Sequence, residues 1–224
     1  MRFALMVVFA GTMSAAAADK PTASEQAAMD FVTKSGGKAS LDPKLHAEAR
    51  VLAKFDTITD AVLVGMKKHT QIGGVETFDA FKCTNKGFAA LKELPHLRKL
   101  VLEKPDLTAV GANSIGQCKE LRYLALVNAG LTDAQLASMK ELTMLEHLTL
   151  SGNPKITDKG MVTVKGFDRL QVLYLAKTSI TDDGLMELKV LDGLRTLNVG
   201  GTKVTPEAAE KFSDDMPNLR TVRQ

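Results

Sequence analysis

The residues of this 224-residue chain best suited to chemistry are four histidines, two cysteines and a set of aspartates that each follow a threonine. Asp60, Asp133, Asp158 and Asp182 form that set, and the neighbours Asp182 and Asp183 have the makings of a carboxylate dyad or a calcium site. The histidines stand at 46, 69, 96 and 147, far apart and without the spacing of a metal-binding helix motif. Cys83 and Cys118 are too few for a disulfide framework. Gly111-Ala-Asn-Ser-Ile-Gly116 opens with phosphate-loop spacing, but Gln117 follows where Lys and then Ser or Thr are needed. Gly36-Gly37-Lys38 fails in the same way at Ala39. No catalytic motif survives, so the sequence points to a surface rather than a reaction.

The elements that position these residues come from a period. Leu170 to Gly193, LQVLYLAKTSITDDGLMELKVLDG, recurs from Leu145, Leu121, Leu97 and Leu194, with starts 24 or 25 residues apart. Weaker copies begin at Ile72 and Glu48, and Leu219 starts one that stops, giving seven repeats over residues 48–218 and a partial repeat at 219–224. Each copy begins LxxLxL, whose alternation suits a short strand, and continues (I/L/V)-T-D-x-G-L-x-x-L-x-x-L, whose spacing suits a helical turn or two. The threonine is an N-cap and the aspartate sits against the positive end of the helix, which accounts for all four aspartates without catalysis or calcium. Gly87, Gly111, Gly160 and Gly184 share one repeat position and read as tight packing sites on the convex side.

This pattern resembles the leucine-rich-repeat family, in particular the bacterial, cysteine-containing-like variants with an ITDxGL convex segment. The resemblance implies an α/β fold: a right-handed solenoid with a parallel concave sheet, short convex helices and an N-terminal helical cap. Each repeat then adds aliphatic residues to a continuous stack, so a core forms although only 5% of residues are aromatic. The family's turn asparagine appears clearly only as Asn153, with Thr178 and Thr202 in equivalent places. Residues 19–47 are not repeat-like. They read as a capping helix and linker, with Thr22-Ala-Ser-Glu25 as a capping box and Ser35-Gly36-Gly37 as the stop. Cys83 and Cys118 fall at buried core positions on opposite sides of the convex half, which favours two free thiols over a bridge.

Arg2, the apolar run Phe3–Met13 and the small residues Ser14–Ala18 read as a signal peptide over 1–18, cleaved before Asp19. The apolar run is shorter than the roughly 20 residues of a spanning helix, and nothing later approaches that length. The expectation is an exported protein, periplasmic or extracellular, with no integral membrane span. A net charge of +3, two tyrosines and no tryptophan argue against a nucleic-acid partner.

What remains is the concave sheet. The outward middle column reads Leu52, Glu76, Val101, Ala125, Thr149, Tyr174, Asn198 and Arg223, flanked by Lys99, Tyr123, His147, Val172 and Thr196. An outer row carries Arg98, Arg122, Glu146, Gln171, Arg195 and Arg220. Apolar and aromatic residues at the centre with an arginine-bearing edge are the composition of a protein or peptide interface. The expected binding face is therefore Lys99, Val101, Arg122, Tyr123, His147, Thr149, Val172, Tyr174, Arg195 and Asn198. The reading is a non-enzymatic scaffold with no cofactor and no metal. Its alternative is an envelope assembly protein that self-associates or binds anionic envelope polymers.

Overall fold

The computed structural model describes residues 20–223, the side chains of 79–81 aside; the expected signal peptide lies outside the described residues. One sheet of nine strands runs through them in chain order. β1 (Lys38–His46) pairs antiparallel with β2 (Ala49–Thr59). From β2 onward every neighbour is parallel, through β3 (Ile72–Lys82), β4 (Lys99–Glu103), β5 (Tyr123–Val127), β6 (His147–Thr149), β7 (Val172–Tyr174), β8 (Thr196–Asn198) and β9 (Thr221–Arg223). Between consecutive strands from β2 onward lies one short α-helix: α2 (Asp60–Met66), α3 (Asn85–Leu91), α4 (Ala109–Gly116), α5 (Asp133–Ala137), α6 (Asp158–Val164), α7 (Asp182–Met186, continued by a 3-10 turn over Glu187–Val190) and α8 (Pro206–Asp215). Parallel strands joined by single crossovers of constant length are a leucine-rich-repeat solenoid.

The stack closes because the second leucine of each strand meets its equivalents in register. Leu100, Leu124, Leu148, Leu173 and Leu197 are consecutive partners and are all buried. The core is not purely aliphatic, however. Phe55, Phe88, Phe167 and Phe212 are among its largest fully buried side chains and fill volume that the short convex elements leave. Asn153 is the one full asparagine rung among the described residues. Its Oδ1 accepts the Ala129 and Leu131 N–H groups at 2.9 and 3.0 Å, and its Nδ2 donates to Leu126 and Leu150 oxygens at 2.8 and 2.7 Å. Thr178 and Thr202 bond only within their own repeats, to Leu175 and Val199 oxygens.

The turn leaving each of the strands β4 to β8 passes through the left-handed region at one repeat position, occupied in order by Lys104, Asn128, Gly152, Lys177 and Gly201. Only two of these five are glycine. Tertiary context therefore holds lysine where a free chain would disfavour it by about 1–2 kcal/mol.

On the convex side the aspartates act between repeats, which goes beyond the capping role expected of them. Asp133 accepts the Thr157 N–H at 2.9 Å and its hydroxyl at 2.6 Å. Asp60, Asp158 and Asp182 do the same for Thr84, Thr181 and Thr205. Thr84, Thr157 and Thr205 donate to the aspartate and still accept a cap bond from their own helix, whereas Thr181 donates to Asp158 and makes no cap bond. For three of the four, the shared glycine position faces this carboxylate; for Asp182 that position is Ala208. A Cβ on Gly87, Gly160 or Gly184 would lie 2.4, 2.6 or 2.1 Å from Oδ1 of Asp60, Asp133 or Asp158. Where Ala109 replaces the aspartate, the next repeat carries Gln135 in place of glycine, and Gln135 forms its own capping box with Thr132 and reaches the Leu107 oxygen.

Residues 19–47, expected as helix and linker, hold more structure than that. Helix α1 (Ala23–Lys34) carries the capping box, with Glu25 Oε2 accepting the Thr22 N–H at 2.8 Å. Glu25 also takes a two-point contact from Arg50, Nε to Oε1 at 2.8 Å and Nη2 to Oε2 at 3.0 Å, tying α1 to β2. Residues 38–46 are strand β1, not linker. Alternation is interrupted by Asp42-Pro43, and four residues bulge between the paired Leu41 and His46 opposite Arg50 alone. The bulge lays Leu45 over the concave side of Gly74, where a Cβ would lie 3.2 Å from Leu45 Cδ1 and 2.6 Å from Leu52 Cδ1.

Candidate functional site

The sheet register fixes the concave face residue by residue. One row runs Gly74, Lys99, Tyr123, His147, Val172, Thr196 and Thr221. The middle row runs Lys54, Glu76, Val101, Ala125, Thr149, Tyr174, Asn198 and Arg223. Leu52, expected to head the middle row, pairs instead with Gly74, because the β2–β3 register shifts between Val51 and Leu52. Its side chain is buried with that of Leu45. The N-terminal end of the face is thus covered by the β1 bulge, and the open part begins at β4.

At its centre the Tyr123 and His147 rings stack, centroids 5.3 Å apart and planes 20° from parallel. Direct partners across two parallel strands, they meet through strand pairing alone. Lys99 Nζ lies 5.2 Å from the Tyr123 centroid, within range of a cation–π contact. The same ammonium is 2.6 Å from Glu76 Oε1, and Lys54 Nζ is 2.9 Å from Oε2. Burial pushes the Glu76 carboxyl up, but the two lysines outweigh it and hold it below the usual range. Burial pushes the Tyr123 phenol up, with Glu76 and Tyr174 adding to the effect. Burial also pushes the His147 ring down; Glu146 opposes this, while Lys44 and Lys99 reinforce it. His147 is therefore a neutral ring near pH 7, able to stack and to donate or accept one hydrogen bond.

The remaining expected residues fall into three environments. Val101, Val172 and Tyr174 are half-buried beside the stacked pair. Thr149 is only 5% exposed and offers little surface. Arg122 is ion-paired with Glu146, whereas Arg195 is exposed farther along the same edge, and Asn198 Oδ1 accepts the Gly200 N–H at 2.9 Å. The face also includes three residues outside the expected set: Lys54, Glu76 and, from the bulge, Lys44. Glu76 already stands in the outward middle column of the sequence, one column from Lys99, and Lys54 takes the head of that column because the β2–β3 register shifts after Val51.

Nothing in this face is arranged as a catalytic dyad. The convex aspartates are spent on inter-repeat bonds, and both cysteines are free and buried, with burial pushing each thiol up to about 12. His69 packs against Phe31, ring centroids 4.6 Å apart. His46 and His96 stack on each other at the edge where the strands begin, outside the concave rows.

Comparison with known proteins agrees with this geometry. A family profile described as Leucine Rich repeat matches residues 141–164. The chain is similar to the solved TLR13–ssRNA13 complex at 17% identity and TM-score 0.53, covering 70% of this chain and 23% of that one. It is similar to an internalin, inlF, from Listeria monocytogenes at 13% identity and TM-score 0.51, covering 71% of this chain and 56% of the other. Internalin C2 of the same organism gives 17% identity and TM-score 0.51, covering 74% and 83%. The chain thus spans about a quarter of the TLR13 chain and just over half of inlF. No curated protein sequence matches it. Among the described residues no helix is long and apolar enough to cross a membrane.

Proposed function

We propose that this leucine-rich-repeat solenoid is a non-enzymatic scaffold that docks a protein or peptide on the open part of its concave sheet. The observation that carries the reading is the Tyr123–His147 stack, roofed at one end by Lys99 and bordered by Val101, Val172 and Tyr174. A rigid platform of this kind offers apolar area and a few polar atoms at little entropic cost, which is how anchor residues in interfaces work. The fold's likeness to internalins and TLR13 supports a recruiting role in general terms. Of the two partner classes, protein is favoured over RNA. Glu76 offsets one of the two charges of Lys99 and Lys54, and the whole chain is only +3.

In this reading the binding face is Lys99, Val101, Arg122, Tyr123, His147, Thr149, Val172, Tyr174, Arg195 and Asn198, with Thr149 contributing least. The repeats are of the bacterial ITDxGL variety and residues 1–18 direct export, to the periplasm or beyond. A mature amino terminus at Asp19, read by mass spectrometry, is expected; an intact Met1 would remove the export reading. The binding test is recovery of partners from envelope extract by the immobilised mature protein. The double variant Tyr123→Ala, Tyr174→Ala should lose the recovered partner while keeping the circular dichroism of the parent. Retention by the folded double variant would move the site elsewhere.

A further inference from the structure

A second cluster lies apart from the concave rows, at the edge where the strands begin. His46 ends β1, His96 precedes β4 and Glu120 precedes β5, so the cluster joins the N-terminal hairpin to two successive repeats. One donor atom from each of the three lies within 4.8 Å of the others. The His46 and His96 rings are stacked, centroids 4.0 Å apart and planes 8° from parallel. His96 Nδ1 is 3.3 Å from Glu120 Oε2 and its Nε2 is 3.4 Å from Glu48 Oε2. Those separations exceed the roughly 2.7–2.9 Å of a charge-assisted hydrogen bond. The first of them, Nδ1 to Glu120, matches the edge of a tetrahedron, about 3.3 Å when each ligand sits about 2.0–2.1 Å from a central ion.

We propose that His46, His96 and Glu120 bind one divalent transition-metal ion of the zinc or copper type, clasping the hairpin to the solenoid. His96 supplies Nδ1 beside Glu120, and its Nε2–H faces Glu48, the carboxylate partner that fixes the orientation of a metal-bound histidine. His46 Nδ1 is an unprotonated acceptor that takes the Glu48 N–H at 3.1 Å. An imidazole binds in its ring plane, so one of the two parallel rings must turn out of the stack. Both are only half-buried, the terminal torsion of histidine is soft, and turning His46 frees the same lone pair for the ion. A fourth position stays open to water. Two carboxylates balance the charge of the cation, and two imidazoles select for zinc or copper over calcium or magnesium.

The test uses the untagged full chain, stripped with chelator and titrated with zinc chloride alone by calorimetry. Cobalt chloride serves in parallel for its visible spectrum. One equivalent should bind, cobalt should give the intense absorption of a four-coordinate site, and Tm should rise by about 5–10 °C at a zinc concentration one hundred times Kd. His96→Ala, His46→Ala and Glu120→Gln should each weaken binding at least about tenfold, while His69→Gln leaves it unchanged. Glu120 is exposed, so its variant keeps the fold even if a histidine variant does not. Absence of stoichiometric zinc binding, or binding that persists unchanged in Glu120→Gln and both histidine variants, would overturn the site.

Discussion

Changing Gly160 to Ala tests whether the convex aspartates join the repeats as described. In helix α6 the substitution alone should gain about 1 kcal/mol of helix propensity. The added Cβ, however, would sit 2.6 Å from Asp133 Oδ1, with the nearest other atoms being Ile156 Cγ2 at 3.3 Å and Leu136 Cδ2 at 3.4 Å. The carboxylate must therefore shift, which weakens its bonds to the Thr157 N–H and hydroxyl, now 2.9 and 2.6 Å; the Asp182–Thr205 pair, beside Ala208, keeps such bonds at 2.8 and 3.0 Å, so their full loss is the upper limit of the cost. Hydrogen bonds to a charged acceptor are each worth about 1.5–3 kcal/mol, and this pair is only half-buried, so about 2 kcal/mol in total is that limit. Gly160→Ala should thus destabilise by up to about 1 kcal/mol, and Asp133→Ala by about 2. In the Asp133→Ala background the space is vacant, and Gly160→Ala should become stabilising by up to about 1 kcal/mol, a coupling of up to about 2 kcal/mol. The native repeats do not couple the two strictly: Ala109 goes with Gln135, but Asn85 precedes Gly111 and Asp182 precedes Ala208. Urea unfolding of the four proteins, followed by circular dichroism and tyrosine fluorescence and analysed where the two transitions coincide, gives the cycle. Equal cost of Gly160→Ala in both backgrounds would refute the reasoning.

Three other outcomes are expected. Asn153→Ala strands four buried backbone groups and should cost about 3–5 kcal/mol, seen as a large fall in the urea midpoint; a change below about 1 kcal/mol would contradict the rung. Glu25 is held from its ordinary 4.5 to about 2, chiefly by the Arg50 hydrogen bonds, against burial that raises it. A depressed folded value stabilises above the unfolded one, so this contribution, about 3 kcal/mol, is complete above pH 4.5 and is lost as pH falls towards 2. Glu25→Gln should flatten the stability profile across that window, and an unchanged profile would contradict the assignment. Cys83 and Cys118 should resist alkylation at pH 7.5 until urea unfolds the chain, and reduction should leave the mass unchanged; a gain of about two daltons would reveal a disulfide.

The solenoid is legible in the sequence because a leucine at a fixed interval means the same buried position each time. Tyr123, His147 and Val172 could be set side by side on that ground alone. Relations between repeats were harder to read. The pairing of Asp133 with Thr157 and Gly160 spans 24 residues or more, and each residue has a sufficient local role in its own helix, as cap, dipole partner or helix glycine. Ala109 and Gln135 depart from the pattern together, but Asn85 before Gly111 and Asp182 before Ala208 depart singly, so no residue pattern announces the pairing. The turn position of Lys104 and Lys177 carries no residue type that announces a left-handed backbone. Strand β1 was hidden by Asp42-Pro43, which breaks alternation where the bulge forms, and the bulge in turn decides that Leu52 is buried. His46 and His96 lie 50 positions apart in sequence and meet only because the hairpin folds back.

The central claim is that partners meet the concave sheet around the stacked pair. Its most direct test is photocrosslinking in envelope extract from a benzoylphenylalanine placed at Val172 on β7 and, separately, at Val162 on the convex face, which is 59% exposed. The account predicts a discrete adduct from position 172 that disappears in the Tyr123→Ala, Tyr174→Ala background, and none from position 162. Adducts from position 162 alone, or from neither position, would contradict it.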